Sequence, residues 1–325
     1  HLVVPGRLDV YGVTIPGLPG IVIGFNRDVA WTFTNTGADV QDFYAETVDD
    51  PVSPRFYVVD GQRRALELRP EAYRGKAGEI VAVDTVRYTH RGPMRRVGEG
   101  RAARWYSMRW TVLEPSRELA GFPAAARART AQEWLDTMAG VYRAPAQNML
   151  VADRQGTIAI RSTGHYPIRP GGDGGVVQDG STARADWTRY LPLAQYPQAV
   201  NPAQGFLASA NQEPIDPRVA PGYFGGSYEP WRALRINQLL RADSQVTVET
   251  MQRWQRDPGS ARADWFVPRL LAAAARAQGA PPAGVDARRL AEATRILAAW
   301  DRRYVVDDRR AVLFEWAMRE LALRT

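Results

Sequence analysis

The 325-residue sequence has no cysteine, three histidines and a single lysine, Lys76. Without cysteine there is no disulfide, no thiolate zinc site and no cysteine nucleophile. The histidines are His1, His90 and His165, and none stands beside a Gly-x-Ser-x-Gly elbow, so no Ser-His-Asp triad is legible. His90, in YTHRGP at the end of an expected strand, reads as a structural hydrogen-bonding residue. Zinc is not expected, because no HExxH or similar spacing occurs. The GGDGG run lacks a following Lys-Ser/Thr and opens no apolar helix, which excludes a phosphate cradle of the usual kind. No apolar run reaches the roughly 18 residues of a membrane span. The net charge is +7, but the arginines are scattered among acids and no nucleic-acid motif appears, so no nucleic-acid partner is expected.

What is present is a globular composition, 45% hydrophobic and 10% aromatic, on a chain long enough to bury a large core. It opens at His1 with no Met and no charged-then-apolar leader, so a processed or trimmed product is expected. Short β segments such as GIVIGF, RFYVVD and EIVAVDTVRYTH, separated by Pro, Gly and Asp clusters, run to about Val97. Trp134, Met138, Val141 and Tyr142 then fall at helical spacing across AQEWLDTMAGVYR. NMLVADRQGTIAIRSTG follows, with an Asp-Arg-Gln-Gly turn joining two alternating runs, the signature of a hairpin. From Trp231 onward the period is helical, with Leu290, Ala293, Leu297 and Trp300 on one face and Ala311, Phe314, Met318 and Leu321 on another. A β-rich part over 1–230, carrying a helical insert, and a mainly helical extension over 231–325 of the same domain are therefore expected. Residues 169–186 and 211–230 read as long irregular loops rich in Gly, Asp and Pro, and loops of that kind are often functional.

The stretch TIPGLPGIVIGFNRDVAWTFTNTGADVQDFYAE, residues 14–46, carries more than a hairpin needs. Asp39, Gln41 and Asp42 alternate side-chain and backbone oxygens just past an Asn-Thr-Gly corner, a pattern open to a hard cation such as calcium or to a plain acidic turn in water.

Five blocks carry a resemblance that periodicity does not supply: LDVYGVTIPGLPGIVIGFNRDVAWTFTNTGADVQDFYAE, SMRWTVLEPSRELAGF, AQNMLVADRQGTIAI, GFLASANQEP and YEPWRALRI, in that order. Together they resemble the β-chain of the penicillin acylase family of N-terminal nucleophile hydrolases, over nearly the whole sequence. AAWDRRYVVDD near the end adds weaker support. The resemblance implies an α+β fold, the αββα sandwich of stacked antiparallel sheets, with a helical extension. It implies an acylase that cleaves an N-acyl amide into a carboxylic acid and an amine. In that family a precursor is cut autoproteolytically so that a Ser, or less often another nucleophile, becomes the first residue of the β-chain. Its own α-amine, with a pKa of about 8, is the base. No His or Asp partner is then required. By the same resemblance the β-chain start lies upstream of His1 and the chain continues beyond Thr325, so the nucleophile is expected outside these residues and the fragment alone is expected to be inactive.

Residue by residue, Asn35 matches the position whose backbone N–H enters the oxyanion hole, Asn211 the side-chain amide donor, and Arg232 the arginine beside the active centre. Ile23, Phe33 and Gln147 match the acyl pocket. Asp39, the Gln41 carbonyl and Asp42 match the calcium loop, with Asp216 the one further Asp available in 211–230. Apart from the resemblance, Asn35 reads as a turn former, Asn211 as a cap before Pro214 and Arg232 as a surface helix residue. The implied partners are an α-chain from the same precursor and a small N-acyl amide substrate, including those of homoserine-lactone and lipopeptide acylases. The implied location is periplasmic or secreted. A non-catalytic fragment of this fold, retained for binding, is the alternative.

Overall fold

The structure, a computed structural model, describes residues 1–172, 174–216, 218, 228–279 and 283–324. It divides into two compact units, His1–Tyr228 and Glu229–Thr325.

The first unit begins with β1 (Leu2–Val4), β2 (Leu8–Val13), β3 (Ile23–Phe25), β4 (Val29–Asn35), β5 (Gln41–Val48), β6 (Phe56–Val59), β7 (Gln62–Ala65), β8 (Glu67–Arg74), β9 (Ile80–Thr89), β10 (Gly92–Val97) and β11 (Arg104–Trp110). Helices α1 (Glu118–Ala125) and α2 (Ala131–Ala139) lead to β12 (Gln147–Asp153) and β13 (Ile158–Thr163). The short strands β14 (Pro167–Ile168), β15 (Gln178–Asp179), β16 (Arg189–Tyr190) and β17 (Gln198–Val200) follow. One sheet has the order β1-β2-β3-β4-β12-β13-β17, and the other β7-β6-β5-β11-β10-β9-β8 with β15 running parallel to β5. The two sheets stack as the expected α+β sandwich.

Alternation along the central strands creates the main core. Trp31 and Phe33 of β4 and Met149 and Val151 of β12 share one face, on which α2 lays Trp134, Leu135 and Met138. The Trp31 and Trp134 rings stack with centroids 5.8 Å apart. The start of α2 is capped by Thr130, whose hydroxyl accepts from Glu133 N, while the Glu133 carboxylate reaches back to Arg129 N. The helix ends earlier than its apolar stripe suggests. Val141 and Tyr142 lie past Ala139, with both amides donating to Met138 O, and Tyr142 still packs into the same core.

The expected β12–β13 hairpin forms around Asp153, whose Oδ1 accepts from Gln155 N and Thr157 N, with Gly156 at φ +91°. GIVIGF is a strand only from Ile23. Gly12 and Gly24 face one another so closely that a Cβ on either would stand 2.2 Å from the opposite strand's carbonyl oxygen. A second core gathers Tyr57, Val59, Leu66, Met94 and Trp105.

The second unit consists of α3 (Trp231–Ala242), α4 (Val248–Trp254), α5 (Ala261–Gly279), α6 (Ala287–Ala298) and α7 (Arg310–Arg324). Its core is Ala263, Val267, Leu297, Trp300, Ala311, Phe314 and Met318. Leu321, expected on the buried face, is 43% exposed, because the core cluster on α7 reaches only as far as Met318.

Candidate active site

Asn35 closes β4 at the point where the chain turns. Thr36 N donates to Ala146 O, so Asn35 and Gln147, which oppose one another, form a pair not hydrogen-bonded through the backbone. The Asn35 N–H and C=O therefore point away from β12. The β3 ladder opposite that edge extends only to Trp31. Gly37, at φ +66°, completes the corner; a Cβ there would lie 2.8 Å from the Tyr228 ring. Thr36 Oγ1 braces it by accepting from Ala38 N. The Asn-Thr-Gly sequence thus serves the turn and at the same time presents a backbone edge.

Asn211 approaches that edge. Its Nδ2 donates to Asn35 O at 3.0 Å, although the two residues are 176 positions apart. Asn211 has φ +61°, a left-handed conformation that Asn tolerates better than most residues. Gln147 Nε2 donates to Asn35 Oδ1 at 2.8 Å. The three polar residues expected from separate parts of the sequence are therefore joined in one hydrogen-bonded group.

The same group lies in the lining of a cavity of about 610 Å³. Val22, Ile23, Phe33, Phe122 and Tyr142 supply apolar walls, and Asn35, Gln147 and Asn211 supply polar atoms. Phe33 is held between Phe122, Trp134 and Tyr142, with ring centroids 6.0, 5.7 and 6.5 Å away. An apolar cavity with a few convergent polar groups suits a ligand with an apolar tail and a polar junction.

Sequence reasoning missed Glu118, Phe122 and Tyr142 as cavity residues. Glu118 lines the cavity and its Oε1 accepts from Arg143 N and Ala144 N, fastening α1 to the 143–144 segment. Burial acts to raise its pKa, but hydrogen bonds from Ser116 and these amides outweigh it, and the carboxyl is held below its ordinary range. SRELAGF carried the hint, since a lone acid in an apolar block needs donors if it is to be buried.

The acidic loop contains more than a turn. Asp42 is fully buried, and its Oδ2 accepts from Arg169 Nε at 2.6 Å and Trp187 Nε1 at 2.5 Å. Asp39 is the second carboxylate beside Arg169, at 3.6 Å, and its main-chain oxygen accepts from Arg169 Nη2 at 3.1 Å. The Gln41 side chain turns to Met108, so any metal role for this residue falls to its carbonyl. Asp42 Oδ1 is buried with no hydrogen-bond partner among the described residues, and a lone carboxylate oxygen of that kind is what a hard cation takes up. These residues fit a calcium ion in part. No group of three or more His, Cys, Asp or Glu side chains able to hold a metal occurs among the described residues.

Asp216 is engaged by Arg218, and residues 217 and 219–227 of its loop lie outside the described residues. Arg232 is an exposed residue in the first turn of α3, in the second unit. His90 bridges Tyr57 OH at 3.1 Å and Asp186 at 2.9 Å, a structural role. No described helix is long and apolar enough to cross a membrane.

Comparison with known proteins adds to this geometry. The chain is 30% identical over 314 residues to the acyl-homoserine lactone acylase QuiP of Pseudomonas aeruginosa, covering 93% of this chain and 36% of that protein. It is 28% identical over 273 residues to penicillin G acylase of Escherichia coli, covering 82% of this chain and 31% of that protein. It thus spans about a third of the length of these relatives. In structure it is similar to the thermostable penicillin G acylase from Alcaligenes faecalis, with a TM-score of 0.76 at 23% identity over 94% of this chain and 54% of that one. The sequence profile of the penicillin amidase family matches residues 1–325, and the chain belongs to that family.

Proposed function

We propose that this chain forms part of an acylase that hydrolyses N-acyl amides with an N-terminal nucleophile, and that Asn35 and Asn211 form its oxyanion hole. The observation that supports the reading is the Asn211 amide anchored at 3.0 Å on the outward-facing backbone edge of Asn35, within the lining of an apolar cavity. Family membership and the names of the relatives support amide hydrolysis as the reaction class.

In this reading a hydroxyl nucleophile supplied from outside residues 1–325 attacks the acyl carbonyl, and its proton passes to the α-amine of the same residue. The oxyanion that forms is met by Asn35 N–H and Asn211 Nδ2–H. The amine departs with a proton, and water then cleaves the acyl-enzyme. The α-chain of the same precursor completes the enzyme, and the protein works in the periplasm or outside the cell.

Ile23, Phe33 and Gln147 receive the acyl group. Asp39, the Gln41 carbonyl and Asp42 would hold one calcium ion, which braces the loop following Asn35. A panel of acyl p-nitroanilides, acyl-homoserine lactones and phenylacetyl amides, assayed with the full-length processed protein, should give turnover on at least one. Inactivity on all would remove the acylase reading.

A further inference from the structure

A polar row crosses three neighbouring strands and starts at Thr34, which also lines the cavity. Thr34, Asn148 and Ser162 are cross-strand partners on β4, β12 and β13, on the face opposite to Phe33 and Met149. Asn148 and Ser162 are each 1% exposed. A buried amide is costly unless hydrogen-bonded, so the bonds it makes set its orientation. Ser162 Oγ donates to Asn148 Oδ1 at 2.6 Å, and Asn148 Nδ2 donates to Ser209 Oγ at 3.3 Å. Ser209 Oγ is in turn hydrogen-bonded to Thr34 Oγ1.

Ser209 stands two residues before Asn211. Within this segment Ala210 N donates to Gln212 Oε1 and Gln212 Nε2 donates to Ala208 O, so 208–212 is tied to itself. Among the described residues it is hydrogen-bonded to the sheet through Ser209, to the Thr34–Asn148 pair, and through Asn211, to Asn35 O. A segment with a left-handed residue keeps that conformation only where its surroundings hold it.

We infer that Asn148 is a positioning residue which, through Ser209, sets the placement of the Asn211 amide against β4. The inference rests on the proposed role of Asn211 as an oxyanion donor. Asn148 has no direct part in that chemistry. Its effect arises because misplacing a catalytic donor by about 1 Å can cost about 10²-fold in rate.

The test uses the full-length processed protein and an acyl p-nitroanilide that it turns over. Asn148→Leu and Ser209→Ala should each lower kcat by about 10- to 100-fold with KM within about twofold of the parent. Ser209→Thr, which keeps the hydroxyl, should restore most of kcat. In an Asn211→Ala background, Asn148→Leu should cause no further loss, because the group it positions is gone. A full-sized additional loss there, a rise in KM alone, or unchanged kinetics in Ser209→Ala would overturn the inference. Ser209 is only half-buried, so its variant keeps the test available if Asn148→Leu fails to fold. Asn211→Ala alone separates the two claims. If it leaves kcat unchanged, the oxyanion reading fails and this inference with it, whereas a large loss with no coupling to Asn148 overturns the inference alone.

Discussion

Arg169 Nε lies 2.6 Å from Asp42 Oδ2, and neither side chain is exposed to solvent. Removing Asp42 leaves the buried Arg169 with the more distant Asp39 carboxylate as counter-charge, and breaking a buried pair costs about 3–5 kcal/mol. Asp42→Ala should therefore lower unfolding stability by about that amount, read by denaturant titration. Asp39→Ala should cost less, since its contact with Arg169 is longer at 3.6 Å.

Calcium is a separate expectation. The orphaned Asp42 Oδ1 predicts one bound ion by elemental analysis of the purified full-length protein. Chelation should lower the thermal midpoint, because an ion that binds only the native state stabilises it by mass action. An ion-free protein with an unshifted midpoint would contradict this expectation and leave Arg169 as the counter-charge of Asp42.

How much of this was legible in the sequence depends on the range of the interaction. The β12–β13 hairpin was readable because Asp153 and Gly156 carry the turn chemistry within a few residues. Helix α2 was readable from its apolar period, but its end was not, since Val141 and Tyr142 keep the stripe while the backbone leaves the helix. Asn35, Gln147 and Asn211 could be named only through the family resemblance, as no local pattern reports a bond across 176 positions. Arg169 was missed because a buried arginine in a Gly-rich loop looks like a surface one until the fold brings Asp42 to it. Glu118 was missed for the same reason, its donors lying 25 and 26 residues away.

Phe33 should govern acyl selectivity. It stands among Phe122, Trp134 and Tyr142 and lines the cavity. Phe33→Leu should shift the ratio of kcat/KM between long and short acyl substrates by about 10- to 200-fold in favour of bulkier groups, the range that one methylene in an apolar pocket can supply. A parallel series of acyl p-nitroanilides measures this, and an unchanged ratio would take Phe33 out of the acyl site.

Asp186 should control part of the acid stability. Burial acts to raise its pKa, but bonds from His90 Nε2 and Arg91 Nε outweigh it and hold the carboxyl below its ordinary range. A depressed native pKa contributes stability that is present above the unfolded value of about 3.9 and lost as pH falls through the native one. Asp186→Asn should thus lower stability near neutrality and flatten the loss below about pH 4, as followed by thermal midpoints across pH. A variant with the parent's full acid limb would contradict this assignment.

The central claim concerns how two asparagines share one oxyanion, and the kinetics of Asn35→Ala and Asn211→Ala in the full-length processed protein test it most directly. In the proposed reading Asn35 acts through its backbone, so its alanine variant should keep much of the parent kcat provided the corner survives. Asn211→Ala removes a donor outright and should lower kcat by about 10²–10³ with KM little changed, because the bond strengthens only as negative charge develops. A rise in KM alone for Asn211→Ala, or a larger loss for a well-folded Asn35→Ala, would contradict the account.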